Sequence, residues 1–252
     1  MEIEWLYGRR PVTETLRVGQ RTMKRLLVAE GSVDSEGIKA AVTLAKQLSI
    51  PVETVRRDGL DMRVSKANHQ GIVLEASRYP YGTVADMLER AEQRGEPPLL
   101  LVLDLLQDVQ NVGTLLRTAD AVGVHGVIIQ ERRAADITPA VVSASSGAVE
   151  HLCIAQVTNI TRTMIDLKER EVWFAGLDLG QDAVRIDQAN LNGGLGLVVG
   201  SEGSGLRRLV RETCDFIVYL PMRGAITSLN AATAGSLALY AAWQARGFQG
   251  AP

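Results

Sequence analysis

The sequence predicts an α/β protein in two parts, a small N-terminal α/β domain and a larger domain built on a parallel sheet. Three observations carry this. Near-continuous apolar runs such as Leu99-Leu100-Leu101-Val102-Leu103 read as strands buried on both faces. These runs alternate with stretches of helical period, the rhythm of parallel βαβ units. Between the two parts, Tyr79-Pro80-Tyr81-Gly82 interrupts any regular element and marks the boundary.

Taken in order, Leu26-Leu27-Val28-Ala29 is the first strand, Gly31-Ser32 a turn, and 36–48 a helix. Ile50-Pro51-Val52-Glu53-Thr54-Val55 and Gly71-Ile72-Val73-Leu74-Glu75-Ala76 supply two more strands, so that 1–78 forms the first domain. A linker at 79–98 holds a leading helix over 84–94 and the turn Gly95-Glu96-Pro97-Pro98. The second domain, 99–248, carries strands near 99–104, 124–130, 151–155, 172–178, 195–200 and 216–220, with helices between most of them. Phe248-Gln249-Gly250-Ala251-Pro252 is a loose tail.

At 252 residues and 46% hydrophobic content the chain can bury a substantial core. Its two cysteines, Cys153 and Cys214, have no paired spacing, which argues against a disulfide framework and for a reducing, cytoplasmic compartment. The acidic start Met1-Glu2-Ile3-Glu4 is no export signal, and no apolar stretch is long enough to span a membrane. The net charge of -2 hides an asymmetry: 1–78 has 13 Lys+Arg against 10 Asp+Glu, while the rest has 14 against 19. Arginine pairs at 9–10, 56–57, 132–133 and 207–208 suit phosphate through their forked donors, although each pair alone could be solvated surface. None of the three histidines has metal-ligand spacing, so no metal is expected.

Three segments carry candidate chemistry. In the first, 108–119, Val112, Leu115, Leu116 and Ala119 recur at helical spacing, Asn111 sits where an N-cap belongs, and Arg117 follows about 9 Å further along the axis. In the second, Gly200, Gly203 and Gly205 enclose Glu202 at a strand end, in a pattern that is neither G-x-G-x-x-G nor a P-loop. In the third, Leu220-Pro221-Met222-Arg223-Gly224-Ala225-Ile226-Thr227-Ser228-Leu229-Asn230 leads into an Ala- and Gly-rich helix whose free N–H groups suit an electron-rich ligand. Read singly, these are a capped helix, a glycine turn and an N-cap serine. Ser143-Ala144-Ser145-Ser146-Gly147-Ala148, near Glu150, reads as packing first and substrate contact second.

Together and in this order, the three segments resemble the motifs of the SPOUT-superfamily SpoU/TrmH-type RNA 2′-O-ribose methyltransferases, nearest the group acting on guanosine of 23S ribosomal RNA. Tyr7-Gly8-Arg9-Arg10-Pro11-Val12 and His69-Gln70-Gly71-Ile72 extend the likeness to the small RNA-recognition domain of that family. The resemblance implies a C-terminal trefoil knot, a homodimer and S-adenosylmethionine as methyl donor, with S-adenosylhomocysteine as product. It implies Asn111, Arg117, Glu202, Ser228 and Asn230 as catalytic residues, and Leu177, Gly200, Ser201, Leu220, Met222 and Leu229 as cofactor contacts. Arg9, Arg10, His69 and Gln70 are implied to contact RNA. Val109 departs from the family's usual Pro, and Ala231-Ala232-Thr233-Ala234-Gly235-Ser236 is slimmer than its Val-containing counterpart.

Other readings compete. A transfer RNA could be the substrate, or the chain could bind RNA without methylating it, although the intact polar set argues against the latter. An oxidoreductase lacks its dinucleotide fingerprint here, and a serine hydrolase lacks the G-x-S-x-G elbow.

Overall fold

The computed structural model describes residues 2–33, 35–65, 67–132, 134–203, 205–225 and 228–251. Arg133 of the 132–133 pair, Ser204 of the glycine turn, and Ile226 and Thr227 of the third motif lie outside the described residues.

Along the chain run β1 (Ile3–Tyr7), α1 (Arg9–Val18), β2 (Met23–Ala29), α2 (Glu36–Gln47), β3 (Val52–Val55), α3 (Arg57–Arg63) and β4 (Ile72–Ser77). Then follow α4 (Val84–Arg94), β5 (Leu99–Asp104), α5 (Val109–Ala121), β6 (Gly126–Gln130), α6 (Pro139–Ala144), β7 (Ile154–Val157) and α7 (Ile160–Lys168). The last are β8 (Trp173–Leu177), β9 (Ala183–Arg185), β10 (Leu195–Gly200), α8 (Arg208–Thr213), β11 (Phe216–Tyr219) and α9 (Ala231–Ala245). Every expected strand is present within a few residues. β1, α1, α3 and β9 were not anticipated.

The chain divides into two compact units, Met1–Pro80 with Ile137–His151, and Tyr81–Asp136 with Leu152–Pro252. The first holds a four-stranded sheet in the order β1-β4-β2-β3, antiparallel except for β2 against β3. Alternation of side chains along β2 gives each face its own core. Leu27 and Ala29 meet Leu60, Val64 and Val73, whereas Leu26 and Val28 lie on the opposite face.

Ile137–His151, expected to belong wholly to the larger domain, is tied into this first unit by a buried ion pair. The Glu150 carboxylate lies 2.8 Å from Nη2 of Arg21, and both side chains are fully buried. Arg21 also donates from Nη1 to Glu4 at 3.1 Å and to the Ser77 carbonyl at 3.0 Å, and stacks 5.4 Å from the Tyr79 ring. An arginine that deep is tolerated because its fork is matched by carboxylates and a carbonyl.

The second unit is organised around seven parallel strands in the order β7-β6-β5-β10-β8-β11-β9. All six residues of β5 and of β10 are buried, as expected for central parallel strands covered on both faces. β10 enters between β5 and β8 although β8 and β9 precede it in sequence. The C-terminal ends of β5, β8, β10 and β11 therefore share one edge, where ligands bind in open parallel sheets. Gly235 lets α9 press onto α5: a Cβ there would come within 2.5 Å of Leu115 Cδ2, and Thr118 and Ser236 hydroxyls meet at 2.8 Å across the same contact.

At the opposite edge, His125 is buried, its Nδ1 accepting from the Leu99 N–H at 3.0 Å while Nε2 lies 3.2 Å from Glu96. Burial holds the imidazole below its ordinary 6.5, with Arg94 adding to the effect and Glu96 opposing it. A folded-state pKa below the unfolded one means that the unfolded chain takes up the proton first. The associated stability is complete above pH 6.5 and is lost as pH falls below it. His125→Asn keeps an acceptor for Leu99 and cannot titrate. Between about pH 7.5 and about pH 5.5, thermal unfolding should therefore show a smaller loss of Tm in this variant than in the wild type.

Candidate active site

Each of the three motif segments is shaped by a local device. At the start of α5 the N-cap is Asp108, whose carboxylate accepts from the Asn111 N–H at 2.8 Å. Asn111 therefore lies inside the first turn and is not the cap expected from the sequence, which leaves its side chain free for other partners. Val109 takes the first helical position, where Pro is favoured because the N–H there has no intrahelical acceptor.

After β10 the chain folds back sharply, with the Gly205 N–H donating to the Ser201 carbonyl at 3.1 Å. Gly200 sits directly against the Gly205 carbonyl and the Leu206 N, so a side chain at 200 has no room. Gly203 and Gly205 have φ of 79° and 64°, left-handed values natural to glycine. Glu202 is held out at the tip of this turn. In the third segment Asn230, not Ser228, caps α9: its Oδ1 accepts from Ala232 at 2.9 Å and Thr233 at 3.1 Å.

The three segments then meet. Asn230 Nδ2 donates to Asn111 Oδ1 at 2.9 Å and to Glu202 Oε1 at 2.9 Å, while Asn111 Nδ2 donates to the same Glu202 oxygen. One carboxylate oxygen thus receives two amides from residues far apart in the chain, and a hydrogen bond to charge is stronger than a neutral one. Beside this network lies a cavity of about 510 Å³, lined by Leu177, Gly200, Ser201, Leu220, Met222 and Leu229, the six residues expected to hold cofactor. Glu202, Ser228 and Asn230 line it as well. Sequence reading missed Asp178, Tyr219, Ala231 and Ala234, which also face the cavity. Asp178 and Tyr219 directly follow or end parallel strands, and that position was the available signal.

The remaining expected residues are placed differently. Arg117 is exposed on α5, six residues beyond Asn111, and does not line the cavity. In the first unit, Arg9, Arg10 and Gln70 are exposed, and Arg9 donates to Gln70 through its backbone N at 3.2 Å and its Nε at 3.3 Å. His69 is only 2% exposed. Its Nδ1 accepts from the Gly71 N–H at 3.0 Å and its Nε2 lies 3.2 Å from Asp61, so the ring supports the Gln70 turn from within the fold. Burial pushes the Cys214 thiol up to about 12, which leaves it protonated and a poor nucleophile. Among the described residues no His, Cys, Asp and Glu side chains gather as a metal site, and no helix is long and apolar enough to cross a membrane.

A parallel sheet whose three terminal segments are hydrogen-bonded around one cavity defines a class, the α/β proteins with a ligand site at the C-terminal ends of their strands, and comparison with known proteins narrows it. Residues 98–240 match the SpoU rRNA methylase family, and residues 5–82 match the domain described as RNA 2′-O ribose methyltransferase substrate binding. A Bacillus subtilis relative, whose name assigns it to the TrmH family of tRNA/rRNA methyltransferases, is 42% identical over 96% of each chain. A Staphylococcus aureus chain carrying the same family name is 37% identical over 98% of each. The crystal structure of the SpoU methyltransferase AviRb from Streptomyces viridochromogenes, in complex with AdoMet, is similar with a TM-score of 0.80 and 26% identity, over 97% of this chain and 90% of that one. The chain belongs to the SpoU rRNA methylase family.

The cavity suits this cofactor. S-adenosylmethionine carries a sulfonium and an ammonium against one carboxylate, and the cavity lining offers the carboxylates of Asp178 and Glu202 with no lysine or arginine among the described residues, Arg211 lying 3.6 Å from Asp178 outside the lining. Apolar Leu177, Leu220 and Leu229 supply surface for a planar base.

Asn230 both caps α9 and joins the network, and the two roles are separable. Asn230→Ala should cost about 1–2 kcal/mol in urea unfolding and weaken S-adenosylmethionine binding by calorimetry. Asn230→Ser restores a capping oxygen and should recover part of the stability without recovering the affinity.

Proposed function

We propose that the protein transfers the methyl group of S-adenosylmethionine to the ribose 2′-hydroxyl of a guanosine in 23S ribosomal RNA. The observation that carries this reading is the Asn111–Glu202–Asn230 network beside a cavity of cofactor size. The substrate-binding match over 5–82, described as that of ribose methyltransferases, supports the 2′-oxygen as acceptor. When bound, the cofactor supplies an electrophilic methyl on a sulfonium. The protein's part is to hold that methyl in line with the hydroxyl and to receive the proton. Asn111, Glu202 and Asn230 fix the mouth of the cavity, with Ser228 as a further hydroxyl on its lining.

In this proposal Arg117, having first released its own proton to solvent, takes the 2′-hydroxyl proton as the neutral guanidine and returns to guanidinium; the role needs an altered setting because the charged form has no acceptor. A homodimer would provide one. α9 exposes Leu237 at 49% and Tyr240 at 48%, and packs on the helix that carries Arg117, so pairing through this face would cover both. Arg9, Arg10 and Gln70 contact RNA in this reading, and His69 acts as their support. The trefoil knot of the family and action in the cytoplasm belong to the same proposal. The relatives' names include tRNA, which makes transfer RNA the second reading of substrate.

The test uses tritiated S-adenosylmethionine with deproteinised ribosomal RNA and bulk transfer RNA from a strain lacking the gene, followed by nucleoside analysis. Label in 2′-O-methylguanosine of 23S RNA is the expected result. Label in transfer RNA alone selects the second reading, and label on neither RNA contradicts the proposal. Arg117→Ala should lower turnover by a factor of about 100 or more with unchanged cofactor affinity.

A further inference from the structure

A second depression, of about 710 Å³, opens on the other side of β5 from the cofactor cavity. It is formed by Gln130 at the end of β6, by Thr158 and Asn159 after β7, by the first turns of α7, and by the start of α8. Among the described residues its lining contains Arg162, Arg207 and Arg208 and no aspartate or glutamate. This is the reverse of the cofactor cavity, whose charged lining consists of Asp178 and Glu202. One chain segment serves both: the turn carrying Glu202 runs directly into Arg207 and Arg208.

The three guanidiniums differ in how they are held. Arg207 is oriented by the fully buried Asp104, to which its Nε donates at 2.6 Å and its backbone N at 2.8 Å, and by Gln130, which accepts from Nη2 at 2.8 Å. Arg162 and Arg208 are 71% and 76% exposed, and each pairs only with a solvated carboxylate one helical turn on, Asp166 at 3.0 Å and Glu212 at 2.8 Å. Such exposed pairs contribute little to stability, so both forks can turn to another anion at small cost. Ile165 and Leu209 in the same lining are 42% and 57% exposed, apolar surface set among guanidiniums.

We propose that this groove holds a single-stranded stretch of the substrate RNA that flanks the target nucleotide. Arg162 and Arg208 bind its phosphates and Arg207 is a third, prefixed donor, while Ile165 and Leu209 lie against an unstacked base or its ribose. The proposal rests on the RNA-methyltransferase reading and adds a subsite to it on the catalytic unit. The sheet edge would then sort its ligands by charge, a cationic donor on one side of β5 and the polyanionic acceptor on the other.

The experiment measures retention of deproteinised 23S ribosomal RNA and of bulk transfer RNA on the full-length protein at several salt concentrations. The wild type is compared with an Arg162→Ala/Arg208→Ala double variant, and methylation of the same RNAs is followed alongside. The double variant should bind the methylated RNA about tenfold more weakly at 0.1 M salt, and its slope of log affinity against log salt should shrink by about 1.4 for two lost single-strand phosphate contacts. S-adenosylmethionine affinity should stay within about twofold, and the corresponding Lys/Lys variant should regain most of the slope because the charge is restored. RNA carrying 4-thiouridine should crosslink to the 158–165 or 207–210 segment.

An unchanged affinity and slope in the double variant, while the wild type binds and methylates RNA, overturns the groove alone. A wild type that labels neither RNA overturns the methyltransferase reading and the groove with it. A defect confined to intact ribosomal particles and absent on deproteinised RNA assigns the groove to a protein partner, and overturns it as an RNA subsite.

Discussion

The carboxylate of Glu202 is the point on which the site depends. It receives the side-chain amides of Asn111 and Asn230, and Asn230 in turn donates to Asn111, so loops from three different strand ends close on one another. Asn111 sits in the first turn of α5 and Asn230 caps α9, whereas Glu202 is carried on a turn. Each polar atom of Asn230 is committed: Oδ1 to the first turn of α9 and Nδ2 to the network. The same residue therefore sets where α9 begins and how the cofactor cavity is walled.

That closure is possible only because the surrounding backbone comes unusually near itself. Gly200 lies against the returning strand of its own turn, and Gly205 against the carboxylate of Asp178. Behind them, Gly235 brings α9 onto α5 and Val199, so that the helix capped by Asn230 and the helix bearing Asn111 are held side by side. Small residues set the approach distance, and the polar network then selects one arrangement from those that the approach allows.

The sequence made most of the sheet legible because buried parallel strands are written as unbroken apolar runs, as at 99–104 and 195–200. β1 was missed although Ile3, Trp5 and Tyr7 alternate with Glu4, and α1 was missed because Arg9-Arg10-Pro11 reads as a turn before the helix is visible. The six residues expected to contact cofactor, all of which line the cavity, were legible only through resemblance, since their side chains are small or apolar. The capping roles were misread at two motifs: Asp108 outcompeted Asn111, and Asn230 outcompeted Ser228, each through a carboxylate or amide oxygen within reach of free helical N–H groups. Which face His69 presents could not be read from the chain at all. Burial depends on the Asp61 and Gly71 partners that the fold brings to it.

Charge is distributed to match these roles. Asp178 and Glu202 line the cavity, and Arg162, Arg207 and Arg208 line the depression across β5. The most direct test of the central claim, that three distant loops close into one methyl-donor site, is a crystal structure of the protein with S-adenosylmethionine. The account predicts the sulfonium beside Glu202 and Asn230, the adenine between Leu220 and Leu229, and the Asn111–Glu202–Asn230 hydrogen bonds intact. Cofactor bound elsewhere, for instance between Arg94 and Arg246 at the opposite edge of the sheet, or seated in this cavity with the network open, would contradict it.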